Sequence, residues 1–231
     1  MNQIKLIVFD IAGTTIKDNG EIAAAFAAAL KEFGYNVPTT KINPLMGYKK
    51  PQAIRMMVEE YESEKGIITD EYINAIHERF LQLMIEHYKT TEAIVPLPNV
   101  MDVFSFVKSK GIKIGLDTGF SSDITEVIMN RLGWLSDGVV DYTVSSNEVP
   151  AGRPQPYMIQ KMMQASGIRD AQQVIKIGDT EVDVQEGKNA GCLYSIAVTT
   201  GAFTREELMP YQPSFIINDM QELLPILEPL V

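Results

Sequence analysis

Three stretches of this sequence end in residues suited to polar chemistry. Asp10 closes the run Ile4 to Asp10, Asp117-Thr118-Gly119 closes Ile112 to Asp117, and Gly178-Asp179-Thr180 closes Val174 to Asp179. Carboxylate oxygens serve as nucleophiles or hard metal ligands, and neighbouring hydroxyls and glycine N–H groups suit an anion. One acid at a strand end is commonly structural. Several on one edge, with Gly and Thr beside them, point to a ligand site.

The elements that would bring them together are readable. The apolar runs at 4–10, 112–117, 139–145, 174–179 and 193–198 read as buried parallel strands. Between them, Asn99 to Lys110, Ser121 to Leu132 and Tyr157 to Ser166 read as helices stopped by Gly111, Gly133 and Gly167. Alternating strands and helices predict an α/β, Rossmann-like, doubly wound parallel sheet, whose ligands bind beyond the carboxyl ends of the strands.

Residues 21–89 have a different texture, without a convincing strand. Three apolar stripes recur at helical spacing: Ile22, Phe26, Ala29, Leu30 and Phe33; Ile54, Met57, Val58 and Tyr61; Tyr72, Ile76, Phe80, Leu83 and His87. The expected organisation is a helical cap domain, 17–94, inserted into a core of 1–16 and 95–231. Pro96 and Pro98 punctuate the return.

The chain has 231 residues, 20 basic and 30 acidic, for a net charge of −10. That sign argues against nonspecific nucleic-acid binding. The single cysteine, Cys192, excludes an intrachain disulfide, no apolar run spans a membrane, and the N-terminus lacks the form of a signal peptide. The expectation is a cytoplasmic protein with no membrane or nucleic-acid partner.

The run Asp10-Ile11-Ala12-Gly13-Thr14 resembles the first motif of the haloacid dehalogenase superfamily. Thr118 resembles its second motif, Arg153 in PAGRPQP its third, and Gly178-Asp179-Thr180 with Asp183 its acidic fourth. Four motifs in order, with an insert where that superfamily carries a cap, cover nearly the whole chain. Three details resemble its phosphonatase branch: Ala12 where phosphatases carry a second Asp, the Val149–Pro154 segment with Arg, and Met46-Gly47-Tyr48-Lys49-Lys50.

The resemblance implies Mg²⁺-dependent cleavage of a small phosphonate through an aspartyl-phosphate on Asp10 and a Schiff base on Lys50. It implies a metal held by Asp10, the Ala12 carbonyl and Asp179. Phosphoryl contacts fall to Ala12, Thr118, Gly119 and Arg153, with Thr14 and Asp183 in support. It also implies a homodimer formed through the cap. The chemistry is coherent. Without an acid at position 12 a poor leaving group gains no proton, but an imine would turn an expelled carbanion into an enamine. Pro51 places Lys50 at the start of a helix reading from 51 to 64, where Lys49 and Arg55 disfavour a further positive charge.

The sequence departs from phosphonatases at Ala53, where those proteins usually have His, and in Lys17-Asp18-Asn19-Gly20, which lacks an expected Cys. The C-terminal region is also shorter. The main alternative is a phosphomonoesterase of the same superfamily acting on an ester such as phosphoglycolate, which Ala12 opposes. A dehalogenase needs no Mg²⁺, and a phosphate-binding regulatory module ranks last. His77 and His87 read as helix-face residues, and Cys192 and Trp134 as packing.

Overall fold

The computed structural model describes residues 3–230, with the backbone alone at Lys65. Six parallel strands form one sheet: β1 (Leu6–Asp10), β2 (Lys113–Thr118), β3 (Tyr142–Ser145), β4 (Val174–Gly178), β5 (Tyr194–Val198) and β6 (Phe215–Ile217). Their order is β3-β2-β1-β4-β5-β6. The strand order reverses direction between β1 and β4, which opens a crevice beyond their carboxyl ends. Asp10 pairs in register with Asp117 across β1 and β2. The acids at these strand ends therefore share one edge.

Both faces of β1 are covered, which is why it reads as a continuous apolar run. Ile7 and Phe9 pack with α5 (Val100–Ser109) and α6 (Ser122–Leu132), while Leu6 and Val8 pack with α7 (Tyr157–Ser166). Gly133 and Gly167 close α6 and α7 at φ of 69° and 73°, a conformation glycine adopts without steric cost.

Four helices lie between β1 and α5: α1 (Glu21–Glu32), α2 (Thr39–Ile42), α3 (Lys50–Tyr61) and α4 (Asp70–Thr90). Helix α3 starts one residue earlier and ends three residues earlier than its sequence pattern suggests. The buried face of α4 is also rotated. Ile73, Ile76, Phe80, Leu81, Met84 and Tyr88 are buried, whereas Tyr72, Leu83 and His87 are not. Packing partners set that phase: Phe80 stacks on Phe26 at 4.3 Å and Tyr88 meets Phe120 edge-on at 6.1 Å.

The two chain segments entering and leaving this insert run side by side. Lys17 N donates to the Val95 carbonyl at 2.9 Å and Leu97 N to the Thr15 carbonyl at 3.0 Å. Among the described residues no helix is long and apolar enough to cross a membrane.

Candidate active site

The turn after β1 builds the first wall. Thr15 N and Ile16 N both donate to the Ile11 carbonyl, and Gly13 turns the chain at φ 86°. A Cβ on Gly13 would lie 2.8 Å from Asp179 Oδ2, and one on Gly201 would overlap that carboxylate. The Asp179 side chain is thus seated between two glycines. Thr14 Oγ1 donates to its Oδ1 at 3.1 Å and Ala202 N to its Oδ2 at 2.6 Å.

Arg153 approaches from the loop after β3 and is 2% exposed. Its Nη1 lies 2.7 Å from Asp10 Oδ1 and also pairs with Asp183 Oδ1. Asp183 belongs to a capping box that starts α8 (Glu181–Ala190), accepting from Thr180 N at 3.2 Å. It therefore holds Arg153 and caps a helix at once. The Arg153 Nε is buried with no hydrogen-bond partner among the described residues.

Lys50 closes the site from the insert. It is 3% exposed and donates to the Met46 carbonyl at 2.6 Å. Its ammonium lies 5.1 Å from the Phe120 ring centre and 5.5 Å from that of Phe26. Burial pushes Lys50 down to about 8, and Arg153 adds to the effect. The cause differs from the sequence reading, which placed it with Lys49 and Arg55. The segment reaches the core because glycines allow close approach: a Cβ on Gly119 would lie 3.0 Å from the Gly47 carbonyl oxygen.

Asp10, Ala12, Lys50, Thr118, Gly119, Arg153 and Asp179 all line one cavity of about 180 Å³. Thr14 and Asp183 stand behind it as partners of Asp179 and Arg153. Burial pushes Asp10 up to about 6 despite the pull of Arg153. Asp179 is pushed up to about 8 by burial, then by the charges of Asp10 and Asp183. Burial opposes ionisation of Asp183 as well, but Arg153 and Lys176 hold it down to about 2.

Sequence reasoning missed the layer beneath. Lys176, in the middle of β4, is fully buried; it pairs with Asp117 and lies 3.1 Å from Asp183 Oδ1 and 3.3 Å from Glu186 Oε2. A lysine inside the run Val174-Ile175-Lys176-Ile177 was the available signal. Asp10, Asp117 and Asp183 bring carboxylate oxygens within 4.8 Å of one another. Arg153 and Lys176 lie among those oxygens, whereas Asp10 and Asp179 face the cavity. Also missed were Asp18, Asn43 and Phe120, which line the cavity. His77 was set aside as a helix-face residue. Burial pushes it down to about 4, with Lys50 and Lys49 contributing. Trp134 packs on Phe104 at 5.4 Å, and burial pushes the Cys192 thiol up to about 12, which suits an inert residue.

The sequence is similar to known proteins over most of its length. It is 33% identical over 202 residues to the phosphonoacetaldehyde hydrolase of Latilactobacillus sakei, covering 84% of this chain and 75% of that protein. It is 31% identical over 223 residues to a bifunctional phosphonoacetaldehyde hydrolase/aminoethylphosphonate transaminase of Clostridioides difficile. That match covers 89% of this chain but only 34% of the longer protein. A crystal structure of a phosphonoacetaldehyde hydrolase-like protein from Oleispira antarctica superposes with a TM-score of 0.85 at 21% identity, covering 99% of this chain and 93% of that one. Residues 7–198 match the haloacid dehalogenase-like hydrolase family, from β1 through β5. The chain belongs to the haloacid dehalogenase-like hydrolases.

Proposed function

We propose that this protein is a Mg²⁺-dependent phosphonatase-like hydrolase of a small aldehyde phosphonate, of the phosphonoacetaldehyde type. Residues 17–94 would act as its cap. One observation carries the reading: a buried lysine amine, pushed down to about 8, lines the same cavity as the strand-end carboxylate Asp10. A lowered lysine forms an imine more readily, and a cavity of about 180 Å³ suits a small substrate.

The residues fit a hard cation. Asp10 and Asp179 are both buried, both pushed up, and both face the cavity, so a positive charge there would relieve them. Asp10, the Ala12 carbonyl and Asp179 would hold Mg²⁺, which when bound lowers the repulsion between a carboxylate and an anionic phosphoryl group.

The chain's own residues do the rest. The Lys50 amine attacks the aldehyde carbon, and the adduct takes up a proton and loses water to leave an iminium. An Asp10 oxygen attacks phosphorus, and the P–C electron pair moves into the iminium to give a neutral enamine; hydrolysis of the aspartyl-phosphate later returns the proton. Thr118, Gly119 and Arg153 hold the phosphoryl oxygens; the unpartnered Arg153 Nε is a donor available for one of them. Water then hydrolyses the aspartyl-phosphate and the imine.

The test is phosphate release from phosphonoacetaldehyde and phosphoglycolate, side by side, with and without borohydride. Release from the phosphonate, irreversible inactivation by borohydride and an adduct on Lys50 rather than Lys49 are expected. Borohydride-insensitive release from phosphoglycolate alone would leave an ordinary phosphatase.

A further inference from the structure

Five titratable side chains line the cavity: Asp10, Asp18, Lys50, Arg153 and Asp179. In the proposed reaction four have duties that exclude proton delivery. Asp10 bonds to phosphorus, Lys50 bonds to carbon, Arg153 stays charged, and Asp179 holds the cation. Position 12, next to the nucleophile, is an alanine. The departing carbon must nonetheless gain a proton before the product leaves.

Resting on that reading of the site, we infer that Asp18 is its general acid, protonating the group that leaves phosphorus. Asp18 Oδ1 accepts from Gly20 N at 3.1 Å and from Ile22 N at 3.4 Å, which anchors the carboxyl at the start of α1. Burial, and then the neighbouring Glu21 carboxyl, raise Asp18 above the ordinary carboxylate value. Glu21 in turn accepts from Asn19 Nδ2 at 3.1 Å and is partly exposed. Asp18 thus lines the cavity, and the partly exposed Glu21 lies beside it.

Burial and the nearby Glu21 carboxyl both favour the protonated form of Asp18. Glu21, which accepts from Asn19 and lies beside Asp18, is held down to about 2 despite the opposing effect of burial. Asp18 lines the same cavity as Lys50, and its charge acts on that amine.

The step balances. When the P–C bond breaks, its electron pair forms the enamine; the CH₂ carbon then takes the Asp18 proton and becomes the methyl group of an iminium. Asp18, now a carboxylate, takes a proton from the water that adds to the iminium carbon. Across the cycle one phosphonoacetaldehyde and one water give phosphate and acetaldehyde.

Acetyl phosphate separates this role from helix capping, because its leaving acetate needs no proton. Asp18→Asn keeps the Oδ1 acceptor for Gly20 and Ile22 but cannot donate an acidic proton. The ratio of kcat on phosphonoacetaldehyde to kcat on acetyl phosphate should fall at least 30-fold in Asp18→Asn, with KM within threefold, and recover in part in Asp18→Glu. An unchanged ratio, including an equal loss on both substrates, overturns the assignment. The underlying reading fails separately, in the wild type, if phosphonoacetaldehyde is untouched and phosphoglycolate is hydrolysed. The same ratio taken with phosphoglycolate, whose alkoxide also needs a proton, then decides Asp18.

Discussion

Arg153 Nη1 rests 2.7 Å from Asp10 Oδ1, so the cation assigned to the phosphoryl oxygens is paired with the proposed nucleophile. In the proposed reaction an incoming phosphoryl anion would compete with Asp10 for that guanidinium and free the carboxylate as it binds. Arg153 also pairs with Asp183, so the guanidinium would keep one carboxylate partner when Asp10 is released.

Asp10→Asn should keep the fold and lower turnover by about 1,000-fold or more, as expected when a covalent nucleophile is removed. Circular dichroism would check the fold and phosphate release the rate. BeF₃⁻ should bind wild-type protein only with Mg²⁺ present and should not bind the variant. A near-wild-type rate in Asp10→Asn would refute the nucleophile.

Thr14→Val tests the seat of Asp179 without touching the cavity wall. It removes the 3.1 Å bond from Thr14 Oγ1 to Asp179 Oδ1 at nearly constant volume. Loss of a partner behind a metal ligand typically costs about 10- to 100-fold in metal affinity. The Mg²⁺ concentration for half-maximal activity should rise accordingly, while kcat at saturating Mg²⁺ stays within a few-fold. Unchanged Mg²⁺ dependence would remove Asp179 from the metal site.

The sheet and the residues of the cavity wall were legible because both depend on local patterns. A buried parallel strand is a short apolar run, and in this topology its terminal acid has one edge on which to lie. What the sequence could not convey depends on partners far along the chain. The rotated face of α4 follows from Phe26 and Phe120, and the depressed Lys50 from burial and from Arg153 rather than from Lys49 or Arg55. Asp18 was noted only as part of a loop lacking a cysteine, because nothing local reveals that this loop lines the cavity.

Lys176 should act on Arg153 through Asp183, whose Oδ1 both cations share. Removing one partner of a buried ionic cluster costs about 3–5 kcal/mol, since the remaining charges lose their compensation. Lys176→Met should destabilise by that order and raise KM for the phosphoryl substrate more than it lowers kcat. Adding Glu186→Leu removes a carboxyl that Lys176 faces at 3.3 Å and should recover part of the stability but not KM. Denaturant melts and steady-state kinetics separate the two effects. Full recovery of KM in the double variant would show that Lys176 serves stability alone.

Lys50 gives the pH dependence its sign. Its folded pKa of about 8 lies below the ordinary lysine value of about 10.4. Imine formation needs the neutral amine, roughly one molecule in ten at pH 7 on this value. The rate of borohydride trapping with a saturating aldehyde should therefore rise with unit slope and level off above pH 8. Stability follows the same shift. Between about 8 and 10.4 the unfolded chain binds the proton that the folded chain has lost, so raising pH through that window stabilises the fold, and below it the buried charge costs up to roughly 3 kcal/mol. Lys50→Met removes that cost. Its Tm should exceed the wild-type Tm at pH 7, and the gain should shrink as pH approaches 10. A Lys50→Met protein with lower stability at pH 7, together with trapping that is flat from pH 6 to 9, would mean that the amine is not held near 8.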